Sequence, residues 1–98
     1  MVKRIGALVM VIFLLSFFTS GCFYDKAMKA MNAAEKSLSD LKAQGGEKLV
    51  PYEYCLAEKL LENAKGEASE SDWSHARDFA DRSRAASGAG LAQIQKKR

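Results

Sequence analysis

The chain opens on an apolar stretch and then settles into a helical rhythm. From Ile5 to Phe18 nearly every position is apolar. Beyond Cys22 the apolar residues thin out. Ala27, Met31, Ala34, Leu38 and Leu41 alternate steps of four and three, the spacing that lines one face of an α-helix. Lys29, Glu35, Lys36, Asp40 and Lys42 fall on the other faces. Gly45-Gly46 stops this first pattern, because consecutive glycines favour a turn over helical continuation.

Pro51 starts a second helix at the position where a missing N–H costs nothing, and Glu53 complements the helix dipole. Tyr54, Ala57, Leu61, Ala64 and Ala68 form its stripe, which Leu56 and Leu60 are expected to widen towards a second neighbour. Gly66 is a weak point within it, costing about 1 kcal/mol relative to alanine. Ser69-Glu70-Ser71-Asp72 reads as the next break, with Ser71 or Asp72 capping a third helix. Trp73, Ala76, Ala80, Ser83 and Ser87 form the third stripe, with Phe79 alongside. Ser87-Gly88-Ala89-Gly90 is expected to fray or interrupt it before Leu91 and Ile94 add a further turn. No segment alternates with period two, so the expected fold is all-α. The expected architecture is a small three-helix arrangement, a helical hairpin plus an N-terminal helix.

The first 22 residues carry the clearest message. Lys3 and Arg4 precede the apolar run, and Thr19-Ser20-Gly21 leads directly into Cys22. A basic start, a short apolar segment and small residues make the layout of a secretory signal peptide. A cysteine directly after the small residues resembles a bacterial lipobox. That resemblance implies cleavage between Gly21 and Cys22 and a diacylglycerol plus N-acyl modification of Cys22. The alternatives are an uncleaved anchor, although a spanning helix needs about 20 apolar residues, or plain cleaved secretion. The expected organisation is a lipoprotein signal over residues 1–21 and a lipid-anchored, alanine-rich helical domain over residues 22–98.

Losing residues 1–21 leaves 77 of the 98 residues and removes two of the 15 basic side chains, taking the formal charge from +3 to +1. A domain of that size is marginal without help from a partner, a cross-link or very regular packing. If Cys22 carries lipid, Cys55 has no intramolecular partner, and a lone cysteine is most often a small buried hydrophobe. An intermolecular bridge through Cys55 is the alternative. Near-neutral charge and the lack of a basic stripe interleaved with aromatics argue against nucleic acid. Lys96-Lys97-Arg98 reads as a solvated tail, or as a weak contact with an acidic envelope surface.

From Val50 onward, Val50-Pro51, Leu56-Ala57-Glu58-Lys59-Leu60, Ala64, Ala68, Asp72-Trp73, Ala76, Phe79-Ala80 and Ala85-Ala86 form a recurrent pattern. It resembles a small, alanine-rich bacterial envelope family, the domain-of-unknown-function family DUF four-three-nine-eight, over about residues 27–87. The resemblance implies a signal peptide, often of lipoprotein type, an alanine-rich helix and a helix pair. It implies no assigned chemistry. The second and third helices are also similar to one tetratricopeptide-like helix pair, with Trp73, Ala76 and Ala80 at the packing positions. A single pair cannot make a repeat array.

Candidate chemistry is sparse. The only histidine, His75, has Asp72 and Asp78 three residues to either side, too few ligands of too few types for a convincing zinc site. A Cys55–His75 dyad lacks an orienting residue. No catalytic residue, metal or small-molecule substrate is expected, and no cofactor beyond the lipid on Cys22. Tyr52, Tyr54 and Trp73 are the candidate partner surface, since such side chains suit half-wet contacts. Phe23 and Tyr24 are placed to sit in the membrane interface. The expected protein is a non-enzymatic envelope lipoprotein whose partners are membrane lipid and an envelope protein or a second copy. The alternative is a periplasmic adaptor that binds peptides. Phe23 rather than Asp follows Cys22, which by analogy with enterobacterial sorting favours the periplasmic face of the outer membrane.

Overall fold

The computed structural model describes residues 2–97, with side chains described for 4–12 and 23–97. Among the described residues the fold is all-α, with helices α1 (Val2–Ala43), α2 (Gly46–Leu49), α3 (Pro51–Ser69) and α4 (Trp73–Lys97). Four helices thus stand where three were expected. The extra one, α2, is a single turn built inside the glycine break.

The apolar stretch and the first heptad-like stripe are one helix, not two elements. The 42 residues of α1 run about 63 Å at the usual helical rise, and the molecule measures 72 × 20 × 14 Å. Nothing between Thr19 and Tyr24 breaks the helix, because no proline occurs there and one glycine costs only about 1 kcal/mol. The described stretches of α1 differ in surroundings. Ile5, Leu8, Val9, Met10, Val11 and Ile12 are all more than half exposed, whereas Ala27, Met31, Ala34 and Leu41 are buried.

The buried stripe packs against the α3–α4 hairpin. Ala27, Met31 and Ala34 of α1 meet Leu61 and Ala64 of α3 and Ala76 and Ala80 of α4, with Leu38, Ala68, Trp73 and Phe79 at the margin. A second cluster at the other end joins Leu41, Val50 and Ile94, flanked by Tyr54 and Leu91. α4 lies closely against both α1 and α3, which explains its run of small buried residues. Alanine, serine and glycine admit two neighbours at short range, though each buries little apolar area.

The two breaks have distinct geometry. Gly45 adopts a left-handed φ of 82°, which glycine tolerates without a Cβ penalty. Its carbonyl accepts from the Lys48 and Leu49 N–H groups and so starts α2. Gly46 serves close approach instead, since a Cβ there would fall 2.5 Å from Leu41 Cγ and 2.7 Å from the Leu41 carbonyl oxygen. Val50 then turns the chain, and Pro51 occupies the first position of α3.

At the other break, the Asp72 N–H donates to the Glu67 carbonyl and the Ser71 N–H to the Ala68 carbonyl. With Ser71 at φ 61°, this is a Schellman closure with a left-handed residue just past the helix end. Asp72 immediately caps α4, its carboxylate accepting from the His75 N–H at 3.3 Å. Of the two expected caps, Asp72 is the one used.

Three expectations about side chains change. Ser87-Gly88-Ala89-Gly90 does not fray; α4 runs straight through it, and Ser87 and Gly90 are buried. Gly90 is there because a Cβ would lie 3.0 Å from Leu41 Cδ1 and 3.3 Å from Glu53 Cβ, so its cost to the helix allows three elements to converge. Leu56 is exposed and only Leu60 stays half-buried, so the apolar face of α3 is narrower than expected. Cys55 is exposed rather than buried.

Candidate functional site

The lipobox residues come first. Gly21 and Cys22 fall within the backbone of α1, but their side chains lie outside the described residues. The residues that follow are described. Phe23 and Tyr24 are 45% and 48% exposed, and the Tyr24 ring meets Trp73 edge-on, with centroids 4.7 Å apart and planes at 87°. Trp73 is the first residue of α4 and also packs against the core. Phe23, Ser71, Asp72, Trp73 and Ser74 line a shallow open groove at this end.

The three candidate partner residues are not one surface. Tyr52 is exposed, whereas Tyr54 is half-buried against Leu41, Val50 and Ile94. Partial burial, then the carboxylates of Glu58 and Glu47, push the Tyr54 phenol above its ordinary value. Because α3 and α4 are antiparallel, both tyrosines sit at the opposite end of the hairpin from Trp73. Around Tyr52 the surface also carries exposed Leu49 and Leu56, and exposed Cys55. Helical spacing places Leu56 one turn from Tyr52.

The hairpin register also separates the residues of the conceivable dyad. The buried Ser83 hydroxyl donates to the Ala57 carbonyl at 2.6 Å, which sets Ser83 level with Ala57. Cys55 lies two residues before one and His75 eight before the other, so they stand about 15 Å apart along the hairpin. That distance rules out direct proton exchange between them.

His75 has other company. Its Nδ1 is 2.7 Å from Asp72 Oδ2. The hydrogen bond to that carboxylate, then its charge, raises the imidazole above its ordinary value, with Glu67 and Asp78 adding to the same direction. In return the His75 side chain, and then its N–H, lower Asp72. Glu67 at the end of α3 brings a third potential ligand atom, all three lying within 4.8 Å of one another. Asp78, the acid that spacing selected, is instead paired with Arg82 at 3.0 Å. Sequence spacing missed Glu67 because it reaches His75 through the Schellman turn and not along one helix.

Among the described residues, no helix is long and apolar enough to cross a membrane. No family model matches the chain, and no curated protein or solved structure matches it either. What the geometry defines on its own is an all-α hairpin strapped by a long N-terminal helix. It has aromatics clustered where that helix enters the packed region, and a second, more exposed apolar surface at the far end.

Proposed function

We propose that this protein is a non-enzymatic envelope lipoprotein, anchored through lipid on Cys22, whose three long helices form a structural or partner-binding domain in the periplasm. The observation that supports this most is where α1 changes character. Among the described residues every buried side chain lies at or beyond Ala27, while Ile5 to Ile12 are exposed. Cleavage between Gly21 and Cys22 would therefore take away the exposed apolar segment and leave the packed stripe whole. Several acyl chains on Cys22 would then hold the domain, each buried methylene contributing about 0.8 kcal/mol. The alanine-rich helix pair is in keeping with the envelope family it resembles. Phe23 in the second mature position favours the periplasmic face of the outer membrane. The surface around Tyr52 and Leu56 is the candidate contact for an envelope protein or a second copy.

The adaptor alternative draws less support. Ala76 and Ala80, the packing positions of a tetratricopeptide-like pair, already lie against Ala27, Met31 and Ala34, so a bound peptide would need another face.

The test is the intact mass of the protein extracted from bacterial membranes, beside Cys22→Ala. The expected result is loss of residues 1–21 with an added acyl mass, both abolished by the substitution. An unmodified full-length mass would refute the proposal, and a cleaved but unacylated mass would reduce it to a soluble periplasmic domain.

A further inference from the structure

We infer that Phe23, Tyr24 and Trp73 form an aromatic foot that seats the α3–α4 turn in the bilayer interface and holds the bundle upright on the membrane. This rests on anchoring at Cys22. Phe23 and Tyr24 follow Cys22 directly on a continuous helix, so they stand within about 3 Å of it along the axis. Trp73 comes from the far side of the fold, 49 residues later, yet its ring touches Tyr24. The chain thus brings three aromatic rings to one end of the packed bundle, just before its buried stripe begins at Ala27. Amphipathic rings of this kind favour the headgroup level, with their apolar bodies in and their polar atoms wet.

The surroundings suit a neutral contact better than an electrostatic one. Asp25 pairs with Lys29 at 3.2 Å, Asp72 with His75, and Lys26, Glu67 and Glu70 leave the local charge mixed. Seating therefore depends on ring insertion and not on anionic lipid.

The orientation of the rest follows. Residues 23–43 rise about 30 Å to the opposite end, where Lys97 Nζ donates to the Leu49 carbonyl at 3.2 Å. Lys96, Lys97, Leu49 and Tyr52 then face away from the anchoring bilayer, towards whatever lies across the gap.

Trp73 is the only tryptophan, so its emission reports the foot directly. The full-length gene product, purified from membranes, is reconstituted into phosphatidylcholine vesicles carrying lipid brominated high in the acyl chain. The expected result is a blue-shifted Trp73 emission lost to bromine quenching, with little effect of salt. A Trp73→Phe/Tyr52→Trp variant, with helicity checked by circular dichroism, is expected to float with the vesicles and keep its emission. Protein that floats while Trp73 stays unquenched would overturn the foot and leave the anchor standing. The same silence with a cross-linked dimer would give the aromatics to contact between two copies. Equal quenching at position 52 would overturn the orientation, and failure to float would sink the anchor as well.

Discussion

Three glycines, Gly66, Gly88 and Gly90, lie within the long helices of the packed region, and the structure assigns them opposite consequences. A Cβ at Gly66 or Gly88 would meet nothing within 4 Å. Alanine there is expected to gain about 0.5–1 kcal/mol from helix propensity and from the lower entropy of the unfolded chain. At Gly90 the same gain is opposed by contacts of 3.0 and 3.2 Å to the two Leu41 methyls and 3.3 Å to Glu53 Cβ. Leu41 is fully buried beside Val50 and Ile94, so it has no room to rotate away. Glu53 Cβ is fixed to the backbone of α3 and can move only with that helix. Overpacking of this kind costs about 1–3 kcal/mol, enough to outweigh the propensity gain. Gly90→Ala is therefore expected to be neutral to destabilising by about 2 kcal/mol, and to fall below Gly88→Ala in every comparison. The assay is thermal melting of the full chain in mild detergent, followed by far-ultraviolet circular dichroism. For a domain of this size each kcal/mol moves the midpoint by about 4–8 °C, so the variants are readily separated. A Gly90→Ala protein that melts as high as Gly88→Ala would refute the proposed convergence of α1, α3 and α4 at that glycine.

Two further predictions use buried and titratable groups. Ser83→Ala removes the hydroxyl that donates to the Ala57 carbonyl and is expected to cost about 1 kcal/mol. Ser87, equally buried but with its hydroxyl unpartnered, should tolerate alanine with no loss or a small gain; equal losses at both sites in the same melting assay would contradict the pairing. The His75–Asp72 contact makes stability depend on pH in two directions. The raised His75 value contributes stability that is complete below the unfolded value of about 6.5 and fades as pH rises through the folded one. The lowered Asp72 value contributes above about 3.9 and is lost as pH falls through its folded value. The benefit over His75→Ala is thus expected to peak between about pH 4 and 6.5. With one histidine in the chain, proton nuclear magnetic resonance reads its titration directly, and a midpoint at or below 6.5 would refute the contact.

Much of the fold was legible in the residues. Of the three expected stripes, Ala27-Met31-Ala34-Leu41, Ala57-Leu61-Ala64 and Ala76-Ala80-Ser83-Ser87 are buried, and Leu38, Tyr54, Ala68 and Trp73 are half-buried at their margins, because a helix repeats its faces locally whatever it packs against. Both breaks and Pro51 were readable for the same reason, and the cap of α4 was narrowed to Ser71 or Asp72, of which Asp72 is used. The candidate site was less so. Tyr52, Tyr54 and Trp73 drew notice as residue types, but only the antiparallel register places two at one end of the hairpin and the third at the other. Gly90 looked like a helix breaker because its Cβ vacancy has meaning only beside Leu41 and Glu53.

What the sequence determined by itself, then, is the helical class, the two breaks between the packed helices and the central stripe each of them buries, all set by neighbours within a turn or two. What the tertiary structure decided is which distant residues share a level: Tyr24 with Trp73, Ser83 with Ala57, Gly90 with Leu41. Those pairings depend on how far one helix slides along another. That offset is settled by the interlocking of small and large side chains across the interface, which no local period contains.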